Sequence, residues 1–244
     1  MRTFGKLSWI ELKLFAREPF ALVFVFAYPV VVLAVLSGVF PKGDPAFGGA
    51  DPADYYLASY LAVVIAAIGL ISLPVHLAAY RERGILRRLR ACGVTTPTLF
   101  GAHIVVGFAM AVTGAAVLTV VGWSLFGARL PKSTGWVVTA FLLATLAFLA
   151  LGFLIASLTP TARAAQAVGM ILFFPMTLLC GAGPPPAVMG ATMRHISDAL
   201  PLTYAVKALQ QPWFGTGTSW RDLAVLIGVL AVATAAAARL FRTS

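Results

Sequence analysis

Six long apolar runs separated by short polar segments dominate this chain. They cover residues 20–40, 57–79, 99–126, 135–158, 164–183 and 223–240. About 20 consecutive apolar residues cross a bilayer as an α-helix, so each run predicts a transmembrane helix. The last is short and Ala-rich and extends back to a start near Trp220. Ahead of the first run, Trp9, Ile10, Leu12, Leu14 and Phe15 alternate with Arg2, Lys6, Glu11, Lys13 and Arg17. That mixture predicts an amphipathic helix lying in the membrane interface and stopped before Pro19. Between the last two runs, Pro184-Pro185-Pro186 closes a span. Two short helical patterns follow at 187–196 and 202–211, the second bounded by Pro201 and Pro212. Neither is long enough to span, so they predict a re-entrant or interfacial hairpin. The expected fold is all-α and polytopic. It is a single membrane domain over 1–244, with an interfacial helix at 1–19, a charged loop at 80–98 and a helical segment at 184–219.

Composition agrees with this pattern. Residues are 60% hydrophobic and 11% charged, with mean hydropathy +0.93; soluble domains carry about 25% charged residues. The net charge of +10 does not point to nucleic acid, because the basic residues cluster at the ends of apolar runs, where they set topology and meet anionic lipid. With the N-terminus inside, twelve of the 18 Lys and Arg fall on cytoplasmic segments, and Asp44, Asp51, Asp54, Asp198 and Asp222 fall outside. The positive-inside rule therefore predicts two cytoplasmic termini. The first 19 residues are too long and too charged for a secretory leader, and Arg17-Glu18-Pro19 is no cleavage site. Cys92 and Cys180 are expected on opposite sides of the bilayer, with no disulfide.

Catalytic chemistry is hard to find. Gly5-Lys6 lacks the glycines of a phosphate-binding loop. Glu11, Glu18 and Glu82 are the only glutamates, and none lies within a predicted span. His76, His103 and His195 have no metal-ligand spacing. The spans contain almost no ionisable groups for ion-coupled transport, offering hydroxyls and small residues instead; Gly107, Ala111, Gly114, Ala115, Ala231 and Ala235 have helix-packing spacing. The PKGDPAFGGADPADYY connector shows turn residues and no chemistry. The one dense charge cluster is Tyr80 to Gly93, with Arg81, Arg83, Arg87, Arg88 and Arg90 around Glu82. It must lie in water or at headgroups.

Three motifs resemble the ABC-2 type exporter permeases. Arg17-Glu18-Pro19 is similar to the R-D/E-P lead-in to that family's first span. Tyr80-Arg81-Glu82-Arg83-Gly84-Ile85-Leu86-Arg87-Arg88-Leu89-Arg90 resembles its cytoplasmic loop, typically E-R-E-x-G-T-L-x-R-L-R. Leu200-Pro201-Leu202-Thr203-Tyr204 resembles its N-P-L-T-Y segment. Ile85 stands in place of the usual Thr, and Lys207 where an acidic residue is common. The resemblance implies a transmembrane subunit of an ATP-driven exporter for a hydrophobic or amphipathic compound such as a drug, antibiotic or lipid. The chain itself would be no enzyme and bind no cofactor, with ATP and magnesium on a separate ATPase. Two ATPase subunits and a second permease, identical or paralogous, would complete the complex; no nucleic acid is expected.

By the same resemblance Glu82, Arg83, Gly84, Ile85, Leu86, Arg87, Arg88 and Leu89 form a coupling helix seated in the ATPase. Glu82 would pair with a basic residue there, Gly84 would allow close backbone approach, and Ile85, Leu86 and Leu89 would give an apolar face. Trp9, Arg17, Glu18 and Pro19 belong to the interfacial helix. Spans two and five of the two permeases would face each other, which makes Ser72, His76, Phe173, Phe174, Met176 and Thr177 candidate pathway positions. Pro201, Leu202, Thr203 and Tyr204 would form an outer gate. The Ala-rich, Lys-poor composition fits a high-GC bacterium, hence its cytoplasmic membrane. The alternatives are a secondary carrier or channel not coupled to ATP, and a membrane enzyme acting on lipid-linked substrates.

Overall fold

The computed structural model describes Lys13, residues 22–85, Arg88, Ala91 and residues 96–242. The expected interfacial helix residues Trp9, Arg17, Glu18 and Pro19 lie outside the described residues, as do Leu86, Arg87 and Leu89. The described residues are helical with no strand, as the sequence predicts.

The helices are α1 (Val23–Val39), α2 (Pro52–Glu82), α3 (Thr96–Phe126), α4 (Thr134–Leu158), α5 (Ala162–Leu179), α6 (Ala191–Ala199), α7 (Pro201–Phe214) and α8 (Trp220–Arg242). Five of them, α2–α5 and α8, are long and apolar enough to cross a membrane, and α1 is a shorter apolar helix. The chain is a multi-pass membrane protein.

α2 is the central helix. The expected span 57–79 begins earlier, because Asp51 accepts from the Ala53 amide (3.1 Å) and Pro52 occupies the first helical position. That N-cap and proline start a helix through residues that read as loop by polarity. Asp54, assigned by sequence to a connector, is buried in the first turn, where it accepts from the Arg129 amide at 2.6 Å. In its most apolar 18-residue stretch α2 is 94% buried, surrounded by α1, α3, α4, α5 and α7. A helix apolar on all faces suits either protein or lipid surroundings, and these contacts enclose α2 in protein.

Both α1 and α2 contain a widened π-turn, at Val23–Ala27 and Ile68–Ser72. Each lies just ahead of a proline, Pro29 and Pro74. A proline inside a helix donates no N–H and clashes with the carbonyl four residues back, here Val25 and Leu70, and a π-turn opens the spiral at that point. The α2 π-turn is also where three helices cross most closely. A Cβ on Gly69 would lie 2.4 Å from the Phe148 carbonyl oxygen of α4. One on Gly152 would lie 2.3 Å from the Gly69 carbonyl oxygen, and one on Gly169 of α5 would lie 2.1 Å from that of Leu70. Only hydrogen fits at those points.

Of the small residues picked out by spacing, Gly107 packs on Leu149, Gly114 on Val64, and Ala111 is buried. Ala231 and Ala235 are exposed, and α8 turns Ala233 and Ala237 inward instead. α8 starts at Trp220 as predicted.

The segment after α5 does form two helices. α6 is almost wholly exposed, whereas α7 is buried against α2, α4 and α8. Gln210 Nε2 donates to Ser59 Oγ at 2.7 Å. Pro212 does not end α7. The helix runs to Phe214 and stops at Gly215 in the left-handed region (φ 74°).

Substituting Gly169→Ala is expected to destabilise the fold by about 1–3 kcal/mol or more, since the Cβ meets backbone and not a movable side chain. Gly38→Ala, with nothing within 4 Å of its Cβ, should be neutral or stabilising by up to about 1 kcal/mol. Equilibrium unfolding of the two variants in detergent checks the contrast.

Candidate functional site

Two regions carry the candidate residues, one beside α5 and one at the Arg-rich end of α2. The first is an apolar groove of about 740 Å³ between α1 and α5. Tyr28, Val32, Leu36 and Phe40 form one wall; Phe174, Pro175, Thr177 and Leu178 form the other; Tyr56 and Tyr60 of α2 form the floor. The wall on α5 follows helical period. Ile171, Phe174, Pro175 and Leu178 are exposed, while Gly169, Phe173, Thr177 and Cys180 face inward. Edge-to-face rings close the base of the groove, with Phe24–Phe173 at 5.9 Å and Tyr28–Phe173 at 6.0 Å. Tyr55 and Tyr56 donate to the carbonyls of Gly181 and Gly183 (2.9 and 3.2 Å), tying the segment after α5 to the start of α2.

Of the expected pathway residues, Phe174 and Thr177 line this groove. Thr177 spends its hydroxyl on the Phe173 carbonyl (2.8 Å). Phe173 is fully buried and serves as the contact joining α1 to α5; Met176 is half-buried beside it. Ser72 and His76 are placed differently from expectation. Both are buried within the single chain, 7% and 6% exposed, because α5 and α4 cover that part of α2. They are not on a surface that could face a second copy. Tyr28, Tyr56 and Tyr60 were not picked out by sequence reasoning. Their only signal was the recurrence of tyrosine at 56 and 60, one helical turn apart.

His76 and His103, which by sequence sit near the cytoplasmic ends of spans two and three on either side of the charged stretch, are brought together. Their rings are 5.7 Å apart with Tyr80 4.5 Å from His76, and His103 Nδ1 lies 2.9 Å from the Leu99 carbonyl. Neither belongs to a cluster of three or more metal-ligating side chains among the described residues.

At the Arg-rich end, α2 stops at Gly84, which has φ 68° and nothing near its Cβ. Within this chain the glycine is required by the left-handed turn and not by a close neighbour. The Arg83 and Gly84 amides close that turn on the carbonyls of Ala79 and Arg81, and a new helical turn opens with Arg88 N–H donating to the Gly84 carbonyl. Arg83 and Arg88 are exposed and Ile85 half-buried. Arg81 donates to the Thr159 carbonyl, and Glu82 accepts from the Ala162 amide at 3.1 Å.

The expected outer-gate residues hold a corner. Pro201 occupies the first position of α7, and Leu202, Thr203 and Tyr204 are buried. Thr203 and Tyr204 donate back to the carbonyls of Ser197 and Asp198 (both 2.6 Å). Lys207 forms an ion pair with Asp198 at 3.0 Å, which holds that carboxyl below the usual range.

A bundle of apolar helices around a buried central helix, grooved on one side and charged at one end, is the architecture of a membrane permease. The description ABC-2 type transporter matches residues 2–214, and the chain belongs to that family. No curated protein matches it.

The geometry of α5 sets an accessibility contrast. In a Cys92→Ser background, a small thiol reagent should modify Phe174→Cys readily, whereas Phe173→Cys and the native Cys180, which is 3% exposed, stay unmodified. Mass spectrometry of the labelled protein reads the difference.

Proposed function

We propose that this chain is the transmembrane subunit of an ATP-driven exporter, with a separate ATPase subunit seated on its Arg-rich end. The Arg-rich end is cytoplasmic by the distribution of basic residues, in a bacterial cytoplasmic membrane. The cargo is a hydrophobic or amphipathic small molecule, and the groove between α1 and α5 is its route. The observation that carries this reading is the groove itself, an open surface lined mainly by aromatic and aliphatic side chains. Such a lining favours a cargo with an apolar body. A second copy of the chain, presenting the same α1 and α5 edges, would close it into a conduit. The exposed Val31, Val35 and Val39 of α1 and Ile171 and Leu178 of α5 form two apolar rims suited to that contact. The α7 corner, with Thr203 and Tyr204 fastening it, would stand over the exit.

Reconstitution with a cognate ABC ATP-binding subunit should give ATP-dependent export of a lipophilic dye from proteoliposomes. Phe174→Arg should lower that rate at least about tenfold, the equivalent of about 1.4 kcal/mol, while the two subunits still copurify. Transport driven by a proton gradient without nucleotide would overturn this reading in favour of a secondary carrier.

A further inference from the structure

Arg81 and Glu82 are adjacent in sequence and opposite in charge, and each meets the end of a different helix. Arg81 donates to the carbonyl of Thr159, the residue that caps the C-terminus of α4. Glu82 Oε2 accepts from the amide of Ala162, the first residue of α5, at 3.1 Å. The last carbonyls of a helix carry partial negative charge and its first amides partial positive charge. The cation therefore sits on the negative end of α4 and the carboxylate on the positive end of α5, only three residues apart across the Thr-Pro-Thr turn. Thr161 Oγ1 takes the Ala164 amide at 3.2 Å. Glu82 and Thr161 thus satisfy two of the amides that the first turn of α5 leaves open.

We propose that Arg81 and Glu82 are positioning residues that fasten the α4–α5 turn to the end of α2, so that displacement of the Arg-rich segment is carried into α5. This rests on the reading above that the ATPase engages that segment. The mechanical route is short. α2 ends at Gly84, the Arg-rich turn resumes from the Gly84 carbonyl, and the fastened helix α5 carries Phe174 and Thr177 in the groove wall. Glu82, exposed at this end, thus has a partner within its own chain at the first amide of α5. Swapping the two charges would set each against the wrong helix end, a feature a mere topology determinant would not share.

Glu82→Gln, Glu82→Asp and Arg81→Met test the assignment in the reconstituted complex with its ATPase. Amide exchange across residues 160–165, followed by mass spectrometry, should quicken roughly two- to fivefold in Glu82→Gln, the range expected for losing a charge at an exposed helix N-terminus. It should return toward wild type in Glu82→Asp. ATP-driven transport should fall at least about tenfold in Glu82→Gln and in Arg81→Met and recover in part in Glu82→Asp, with copurification of the ATPase unchanged. Unaltered exchange in Glu82→Gln overturns the contact, and unaltered transport overturns its positioning role. Loss of the ATPase together with transport would instead assign Glu82 to the subunit interface. If wild-type protein takes up no ATPase, the proposed function fails and the transmission role with it, and the exchange measurement alone still reports whether Glu82 caps α5.

Discussion

Everything in this bundle depends on how closely α4 and α5 approach the π-turn of α2. In lipid there is no water-driven hydrophobic force between apolar helices, so association relies on intimate packing. Gly69, Gly152 and Gly169 remove the side chains that would hold the backbones apart, and the carbonyls of Gly69, Leu70 and Phe148 lie where Cβ atoms would otherwise be. Pro74 supplies no N–H to the Leu70 carbonyl, and the opened turn that results is the one that presents these carbonyls to α4 and α5. One helical defect therefore both relieves the proline and creates the crossing.

That crossing divides the molecule. On one side of it α1 and α5 bound the groove floored by Tyr56 and Tyr60; on the other, the α4–α5 turn is fastened to the end of α2. α5 is the helix common to both regions. Among the membrane-length helices it is less buried than α2, α3 and α4, with 28% of its apolar window inside the bundle, and it contains Pro175. α5 is thus held at a glycine crossing and at its first turn and is largely uncovered elsewhere.

Polar groups inside the bundle follow the same economy. Ser59, Thr145 and Thr177 return their hydroxyls to carbonyls one turn back in their own helices. Asp54, buried in the first turn of α2, is held by a backbone amide of the α3–α4 connection. Each of these four side chains finds a backbone partner, as an apolar surrounding demands. The α7 helix extends this to the connections: its C-terminal carbonyls take the amides of Lys132 and Ser133, binding the loop after α3 to the end of α7.

Hydropathy alone determined the class of this protein, since runs of apolar residues of membrane length have no other stable home than a bilayer. It also located α3, α4 and α8, the helical pair after α5, and the Arg-rich turn, because length, proline and charge are local properties. Three things were not local. The start of α2 was hidden because an Asp-Pro cap outweighs the polarity of Asp54 and Tyr55. The burial of Ser72 and His76 was hidden because a uniformly apolar helix shows no face to its neighbours, so only packing tells which helix is enclosed. The partner of Glu82 lies 80 residues away at a backbone amide, and amides carry no side-chain signature. The sequence thus determined which segments enter the membrane; the tertiary structure decided which of them meet, because backbone contacts between helices depend on the spaces that glycines leave and on the turns that prolines open.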